Sequence, residues 1–381
     1  MFFAFVLIVM LAALGCLVFY LARRLWHGFT CVFPRLRFGI VLGVVIGVAT
    51  LTVLGFANAM LPLPEMVKHI VGTLGAYAMG MFLYLTMFTV IADVVLLILR
   101  LLRPSAAKHP HARGAAAIGA VILTVLTVVG GVIHAAQLKH VSYTVPIDST
   151  VDVSDLNIVL VSDLHLGAVG SEARLEDTVA QINALKPDLV CIAGDLFDTD
   201  YTAIRDPGAA RDLLKSISST YGVYLCLGNH DAGDTVPQML EFVERSGITL
   251  LDDTYTVIDG RLVLAGRLDA SPIGGYGESE RKELPEVLDG ADTTLPVVVM
   301  DHNPSHIDTY TNEVDLVLSG HTHRGQIFPA NLITDLLYTV DYGMYRKNED
   351  SPHIIVTSGA GAWGMPMRVG TDCEIVSIRL E

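Results

Sequence analysis

The chain has 381 residues, 52% of them hydrophobic, with a mean hydropathy of +0.51 and a formal net charge of −15. Charge divides it: residues 1–140 hold ten basic and two acidic side chains (+8), and residues 141–381 hold 15 and 38 (−23). An acidic domain with no basic stripe repels phosphate backbones, which argues against a nucleic acid partner. The five cysteines follow no zinc-knuckle or disulfide spacing and read as small buried hydrophobes.

Four apolar stretches, about 2–21, 39–60, 70–95 and 114–135, predict membrane spans. Each supplies the roughly 20 apolar residues that a hydrocarbon layer about 30 Å thick requires. The first lacks a basic leader and a clear cleavage site, so it reads as a retained helix. The third is open to two readings, one long tilted helix or a helix broken near Gly72, Gly75 and Gly80. Basic residues alternate along the connections: Arg23, Arg24, Arg35 and Arg37, then Lys68, then Arg100, Arg103, Lys108 and Arg113, then Lys139. That alternation puts the first and third connections in the cytoplasm and the C-terminal domain on the extracytoplasmic side of the cell (inner) membrane. Gly43-x-x-x-Gly47 and Ala76-x-x-x-Gly80 predict close helix contact within the bundle. Asp93 is either an intramembrane carboxylate or a boundary residue near Arg100.

A polar, proline-containing linker is expected over 140–153, after a helical domain over 1–139. Beyond it, helix-spaced apolar residues at 171–185, 209–217 and 236–246 fall between strand-like runs at 156–161, 189–193 and 221–227. Further strand-like runs at 248–258, 262–268, 295–300, 314–318, 353–358 and 374–380 have no long helices between them. Strands alternating with helices argue for an α/β domain, and the later strands for a second, partly antiparallel sheet in an α/β/β/α sandwich over 154–381.

Five strand-like runs end in potential metal ligands: Asp163 and His165; Asp195; Asn229 and His230; His302; and His321 and His323. Carboxylate, amide and imidazole donors suit divalent transition metals, and the inventory suffices for two ions sharing a carboxylate. The ordered series, Asp163-Leu164-His165, Gly194-Asp195-Leu196-Phe197-Asp198, Gly228-Asn229-His230-Asp231, His302, and Gly320-His321-Thr322-His323, resembles the calcineurin-like metallophosphoesterase family. Together with the four apolar spans, which are not part of the general family pattern, the expected fold is an N-terminal transmembrane helical bundle followed by a four-layer α/β/β/α metallophosphoesterase sandwich, which resembles the membrane-attached subset of the family.

By that resemblance, one metal is held by Asp163, His165 and His323, the other by Asn229, His302 and His321, and Asp195 bridges them. Manganese, iron or zinc fits the donors. A hydroxide bridging the ions would attack phosphorus in line, with His230 approaching the phosphate or protonating the leaving oxygen and Asp231 orienting it. Asp198 is expected to hydrogen-bond a ligand rather than bind metal. Arg324 and Arg267 are candidate substrate contacts. The loop Gly359-Ala360-Gly361-Ala362-Trp363-Gly364 matches a dinucleotide fingerprint but runs into Met365-Pro366, so it reads as a tight loop at the rim of the site.

The expected substrate is a phosphodiester or pyrophosphate presented at the bilayer, lipid-linked or from the cell envelope. Leu332, Ile333, Leu336 and Leu337 are expected to form one face of a short helix beside His323, either touching lipid or packing onto the sandwich, and the glycine-rich segment 271–280 is expected to border the entrance. A soluble phosphomonoester or cyclic nucleotide is the enzymatic alternative, and a metal-bound envelope scaffold the non-enzymatic one.

Overall fold

In hydrocarbon an unpaired backbone amide costs several kcal/mol, so an apolar run closes its own hydrogen bonds as helix. The computed structural model, which describes residues 2–58, 61, 63–103, 110–169 and 172–381, shows four such helices. They are α1 (Phe2–Phe29), α2 (Phe38–Phe56), α3 (Glu65–Leu102) and α4 (Pro110–Ala135), all long and apolar enough to cross a membrane. The chain divides into two compact units, Met1–Gly131 and Val132–Glu381.

In the first unit, α3 is one unbroken helix of 38 residues, starting behind Pro64. Gly72, Gly75 and Gly80 do not interrupt it; they lie on its buried face. Gly75 is where α2 crosses, and a Cβ there would stand 2.4 Å from Gly55 Cα. Expected close contact at Gly43 and Gly47 is not found, since a Cβ on either would meet no described atom within 4 Å. The backbones approach through Gly55 and Gly75 because those glycines face each other, whereas Gly43 and Gly47 sit on another side of α2. Asp93 is a bundle residue: it pairs with Arg24 Nε at 2.7 Å and accepts from Tyr20 Oη at 2.7 Å, both on α1.

In the second unit, fully apolar runs become strands covered on both faces, which is why they lack alternation. One sheet has the order β1-β12-β2-β3-β4-β5, built from β1 (Leu138–Val145), β2 (Asn157–Val161), β3 (Leu189–Ala193), β4 (Val223–Cys226), β5 (Thr249–Leu250) and β12 (Cys373–Leu380). The other has the order β10-β11-β9-β8-β7-β6, from β6 (Thr254–Ile258), β7 (Leu262–Gly266), β8 (Val297–Met300), β9 (Leu316–Ser319), β10 (Gly343–Tyr345) and β11 (His353–Val356). Leu160, Cys191, Leu264, Met300, Leu318 and Ile355 fill the space between the sheets.

Helices α5 (Glu172–Ala184), α6 (Pro207–Lys215) and α7 (Val236–Arg245) cover the first sheet through Leu175, Ile182, Leu214 and Phe242. The second sheet is covered by shorter pieces, including α8 (Leu284–Val287) and a 3₁₀ segment at Pro304–Thr309. The expected layers are present. So is the expected mixture in the second sheet, where β6 and β10 run antiparallel to their neighbours.

Two expectations change. Residues 140–145, expected as linker, are strand β1, paired parallel with β12 over eight residues. The linker reading failed because β1 is an edge strand with Lys139, His140, Ser142 and Thr144 in contact with solvent, so it carries no buried apolar run. The run at 248–258 is two strands in different sheets, because the chain changes sheets between Leu250 and Thr254.

Candidate metal centre

Strands β2, β3 and β4 are parallel neighbours in one sheet, and β8 and β9 in the other. Val161 stands opposite Ile192, Ala193 opposite Cys226, and Met300 opposite Leu318, so within each sheet the chain leaves its strands at nearly one level. The residues that follow form a common floor at the strand ends. Asp163, His165, Asp195, His321 and His323 each adopt a left-handed backbone, with φ from 47° to 70°. Such a conformation costs about 1–2 kcal/mol in a non-glycine residue and persists only where the surroundings impose it.

Those surroundings include close backbone contacts. A Cβ on Gly228 would lie 2.2 Å from Asp195 Oδ1, and one on Gly361 would lie 2.3 Å from the Asp163 carbonyl. Amides fix the carboxylates as well. His230 N donates to Asp195 Oδ1 at 2.8 Å, and His321 N donates to Asp163 Oδ1 at 3.1 Å. The Gly359–Gly364 loop does lie at the site: Ala360 N and Gly361 N each donate at 2.9 Å, to the Ser162 and Asp163 carbonyls.

Besides a group formed by His165, Asp198 and His230, two groups of donor atoms result among the described residues. Asp163, His165 and His323 form one, with His323 Nε2 3.0 Å from His165 Nε2 and 3.2 Å from Asp163 Oδ1. Asp195, His302 and His321 form the other, with His302 Nε2 3.1 Å from Asp195 Oδ2 and His321 Nδ1 2.8 Å from Asn229 Oδ1. Asp195 Oδ2 is also 3.7 Å from His165 Nε2, which sets this carboxylate between the groups.

The electrostatics are those of donors waiting for a cation. Burial opposes ionisation of Asp163 and Asp195, yet the surrounding imidazoles hold both carboxyls well below the usual range. Burial lowers His321 to about 4 and pulls His165 and His323 down as well. His302 goes the other way, because the Asp195 carboxylate overcomes burial and raises it well above its ordinary value. His302 Nδ1 donates to the Ala193 carbonyl at 2.7 Å, which leaves Nε2 aimed at a carboxylate oxygen. That Nε2 and His165 Nδ1 are buried with no hydrogen-bond partner among the described residues. A divalent cation between the Nε2 atoms and the carboxylates answers the His302 nitrogen, while His165 Nδ1 faces Asp198 Oδ1 at 3.8 Å, and the residues present fit a dinuclear centre.

The structure corrects two expected roles. Asp231 does not orient His230; its two oxygens accept from Phe197 N and Gly228 N, each at 2.8 Å, and burial raises its carboxyl to about 7. Following His230 in the sequence suggested the role, but the turn sends Asp231 inward. His230 Nδ1 is instead 2.6 Å from Thr199 Oγ1, a partner that sequence spacing did not mark. Arg267 is no substrate contact, being buried between the Lys282 carbonyl and Tyr310 Oη. Arg324 follows His323, with its guanidinium 4.3 Å above the Tyr342 ring. Asp198 Oδ1 is 3.8 Å from both His165 Nδ1 and His230 Nδ1, and burial raises its carboxyl to about 6.

Two buried donor groups sharing a carboxylate, at the strand ends of packed sheets, form a dinuclear His/Asp metal-binding site. Residues 156–325 match the calcineurin-like phosphoesterase family. A Danio rerio "transmembrane protein with metallophosphoesterase domain" is 31% identical over 276 residues, covering 69% of this chain and 62% of that protein. Its Bos taurus namesake is 30% identical over 280 residues, covering 70% and 62%. An uncharacterized metallophosphoesterase of Helicobacter pylori is 32% identical over 232 residues, covering 59% and 60%. The chain therefore spans about three-fifths of the length of these curated relatives. It carries a calcineurin-like metallophosphoesterase domain fused to a helical bundle long and apolar enough to span a membrane.

Proposed function

We propose that the protein is a multi-pass membrane phosphohydrolase that cleaves a phosphodiester or pyrophosphate bond in a lipid-linked or cell-envelope substrate. One observation carries this reading: the donor groups open into a cavity of about 330 Å³ whose far side is apolar. Asp195, Asn229, His230, His321 and His323 line one part of it, and Ala330, Ile333 and Trp363 another. Helix α9 (Ala330–Leu337) borders the cavity and buries none of its residues; Leu336 is 85% exposed and Leu337 72%. Exposed leucines beside a phosphate-sized polar floor fit a substrate with a charged head and an apolar tail.

In this reading Asp163, His165 and His323 hold one divalent cation, Asn229, His302 and His321 hold a second, and Asp195 serves both. Manganese is the metal for the first assays, with iron and zinc as alternatives. When bound, the two cations supply a nucleophilic water at neutral pH and positive charge against the phosphoryl oxygens. Asn229 contributes an oxygen without adding negative charge where an anion must approach. The Thr199 bond occupies His230 Nδ1 and leaves Nε2 as the nitrogen that gives a proton to the departing oxygen.

Thr199→Val is therefore expected to lower turnover about tenfold with metal content unchanged, and Thr199→Ser to restore it. A parallel loss of metal and turnover, measured by elemental analysis beside rate, would make Thr199 a structural residue. His230→Ala should lose more, about 100-fold.

The alternating basic connections support a catalytic domain outside the cytoplasm. Both parts are tested by one experiment on cells and on purified protein in detergent. Cells should hydrolyse an impermeant aryl phosphodiester equally before and after lysis. Purified protein with manganese should turn over lipid-linked pyrophosphates or phosphodiesters at least tenfold faster than soluble phosphomonoesters or cyclic nucleotides. The opposite ranking establishes the soluble-substrate alternative, and activity seen only after lysis reverses the orientation.

A further inference from the structure

The helical bundle contains a second polar site, remote in sequence from the ligand series. A cleft formed by α1, α3 and α4 is lined by Arg24, His27, Thr89, Asp93 and Arg113, with Leu25 and Leu96 among its apolar walls. Its volume is about 60 Å³. A single water needs about 15 Å³ on that measure, so the cleft has room for roughly four oxygens, the complement of a tetrahedral oxyanion.

Two guanidinium groups, Arg24 and Arg113, line the cleft with one carboxylate, and that carboxylate is already engaged. Asp93 Oδ2 takes Arg24 Nε and Tyr20 Oη, each at 2.7 Å, which fixes Arg24 at the cleft wall. Arg113 makes no side-chain hydrogen bond or ion pair among the described residues. The cleft therefore keeps a positive excess at its exposed mouth, where Arg24 and Arg113 meet the apolar flank of the bundle.

Thr89 points independently to a ligand. A threonine inside a helix ordinarily donates its hydroxyl to the carbonyl four residues back, as Thr52, Thr86 and Thr124 do at 2.7–3.0 Å. Thr89 does not. It is 5% exposed, and its Oγ1 has no hydrogen-bond partner among the described residues. A buried hydroxyl on the cleft wall, beside guanidinium groups, is a donor held for an acceptor that arrives from outside.

We propose that this cleft binds the phosphate of an anionic phospholipid, with Arg113 and Arg24 against its oxygens and Thr89 Oγ1 donating to one of them. A lipid rather than a free ion is favoured because the surrounding helix surface is apolar, with Ile98 48% and Leu101 73% exposed on the same end of α3. Acyl chains along that surface add to what the phosphate supplies.

The test uses the full chain in zwitterionic detergent, with lipid retention read by native mass spectrometry and thermal shift. Phosphatidylglycerol is expected to bind at least tenfold more tightly than phosphatidylcholine. Arg113→Ala and Thr89→Val should each weaken phosphatidylglycerol at least fivefold, while Arg35→Ala, an exposed basic residue outside the cleft, leaves it unchanged. Arg113→Lys keeps the charge without the planar fork and should fall between; it also serves if the alanine variant does not fold. Equal retention of the two lipids, or equal loss in Arg35→Ala, would overturn the site. Inorganic phosphate alone producing the full thermal shift would overturn the lipid as its source.

Discussion

Replacing Asp195 with alanine is expected to reduce hydrolysis of an aryl phosphodiester at least ~1,000-fold and to lower bound manganese from two ions per chain to one or none. Among the described residues no other carboxylate stands between both donor groups: Asp195 Oδ2 is 3.1 Å from His302 Nε2 and 3.7 Å from His165 Nε2. Its loss removes the negative charge that screens two cations, which then repel at the ~4 Å separation of such centres. A factor of 1,000 corresponds to about 4 kcal/mol of transition-state stabilisation, within what a two-ion clamp supplies. Elemental analysis beside initial rates checks this. Two ions retained with full activity would refute the shared-carboxylate reading and with it the proposed chemistry.

The second large effect is expected at Arg368, where Arg368→Met should lower the melting temperature of the full chain by roughly 10 °C. This guanidinium is 1% exposed and among the largest fully buried side chains. It donates to the carbonyls of His323 at 2.9 Å, Ser358 at 2.7 Å and Gly361 at 2.7 Å, and it lies 3.1 Å from His323 Nδ1. One side chain thus ties a ligand-bearing loop to the glycine loop that packs on Asp163. Truncating it leaves several buried carbonyls unpaired, at about 3–5 kcal/mol in all, and a domain of this size shifts by about 2–4 °C per kcal/mol. Arg368→Lys should rescue little, since one ammonium cannot reach three carbonyls in different directions. An unchanged melting temperature in the methionine variant would show that water replaces the guanidinium without cost.

Much of the candidate donor set could be read from the sequence, because β2, β3, β8 and β9 are buried on both faces and therefore stand out as uninterrupted apolar runs. The polar residues that follow each run are conspicuous for the same reason. Less visible was whatever depends on direction rather than position. Thr199 and Arg368 belong to no spaced pattern, and only the turn after β3 and the loop before β12 bring them to His230 and His323. Asp231 and Arg267 misled in the opposite way: each follows a strand end, yet backbone amides hold the first and the Lys282 carbonyl with Tyr310 the second. In the bundle, Gly-x-x-x-Gly spacing marked Gly43 and Gly47, while the crossing uses one glycine from each helix, a pairing that no single-segment pattern encodes. The left-handed φ at five ligand positions likewise has no signature, since aspartate and histidine carry no sign of the conformation imposed on them.

Strand β12 is threaded between β1 and β2, parallel to one and antiparallel to the other. During synthesis the bundle helices and every ligand-bearing strand leave the ribosome before Cys373 does. Until residues 373–380 arrive, β1 has no partner and β2 shows a bare edge beside Asp163. A nascent or prematurely stopped chain would thus own its whole ligand inventory while exposing a sticky, unzipped sheet, the kind of species that chaperones and proteases select.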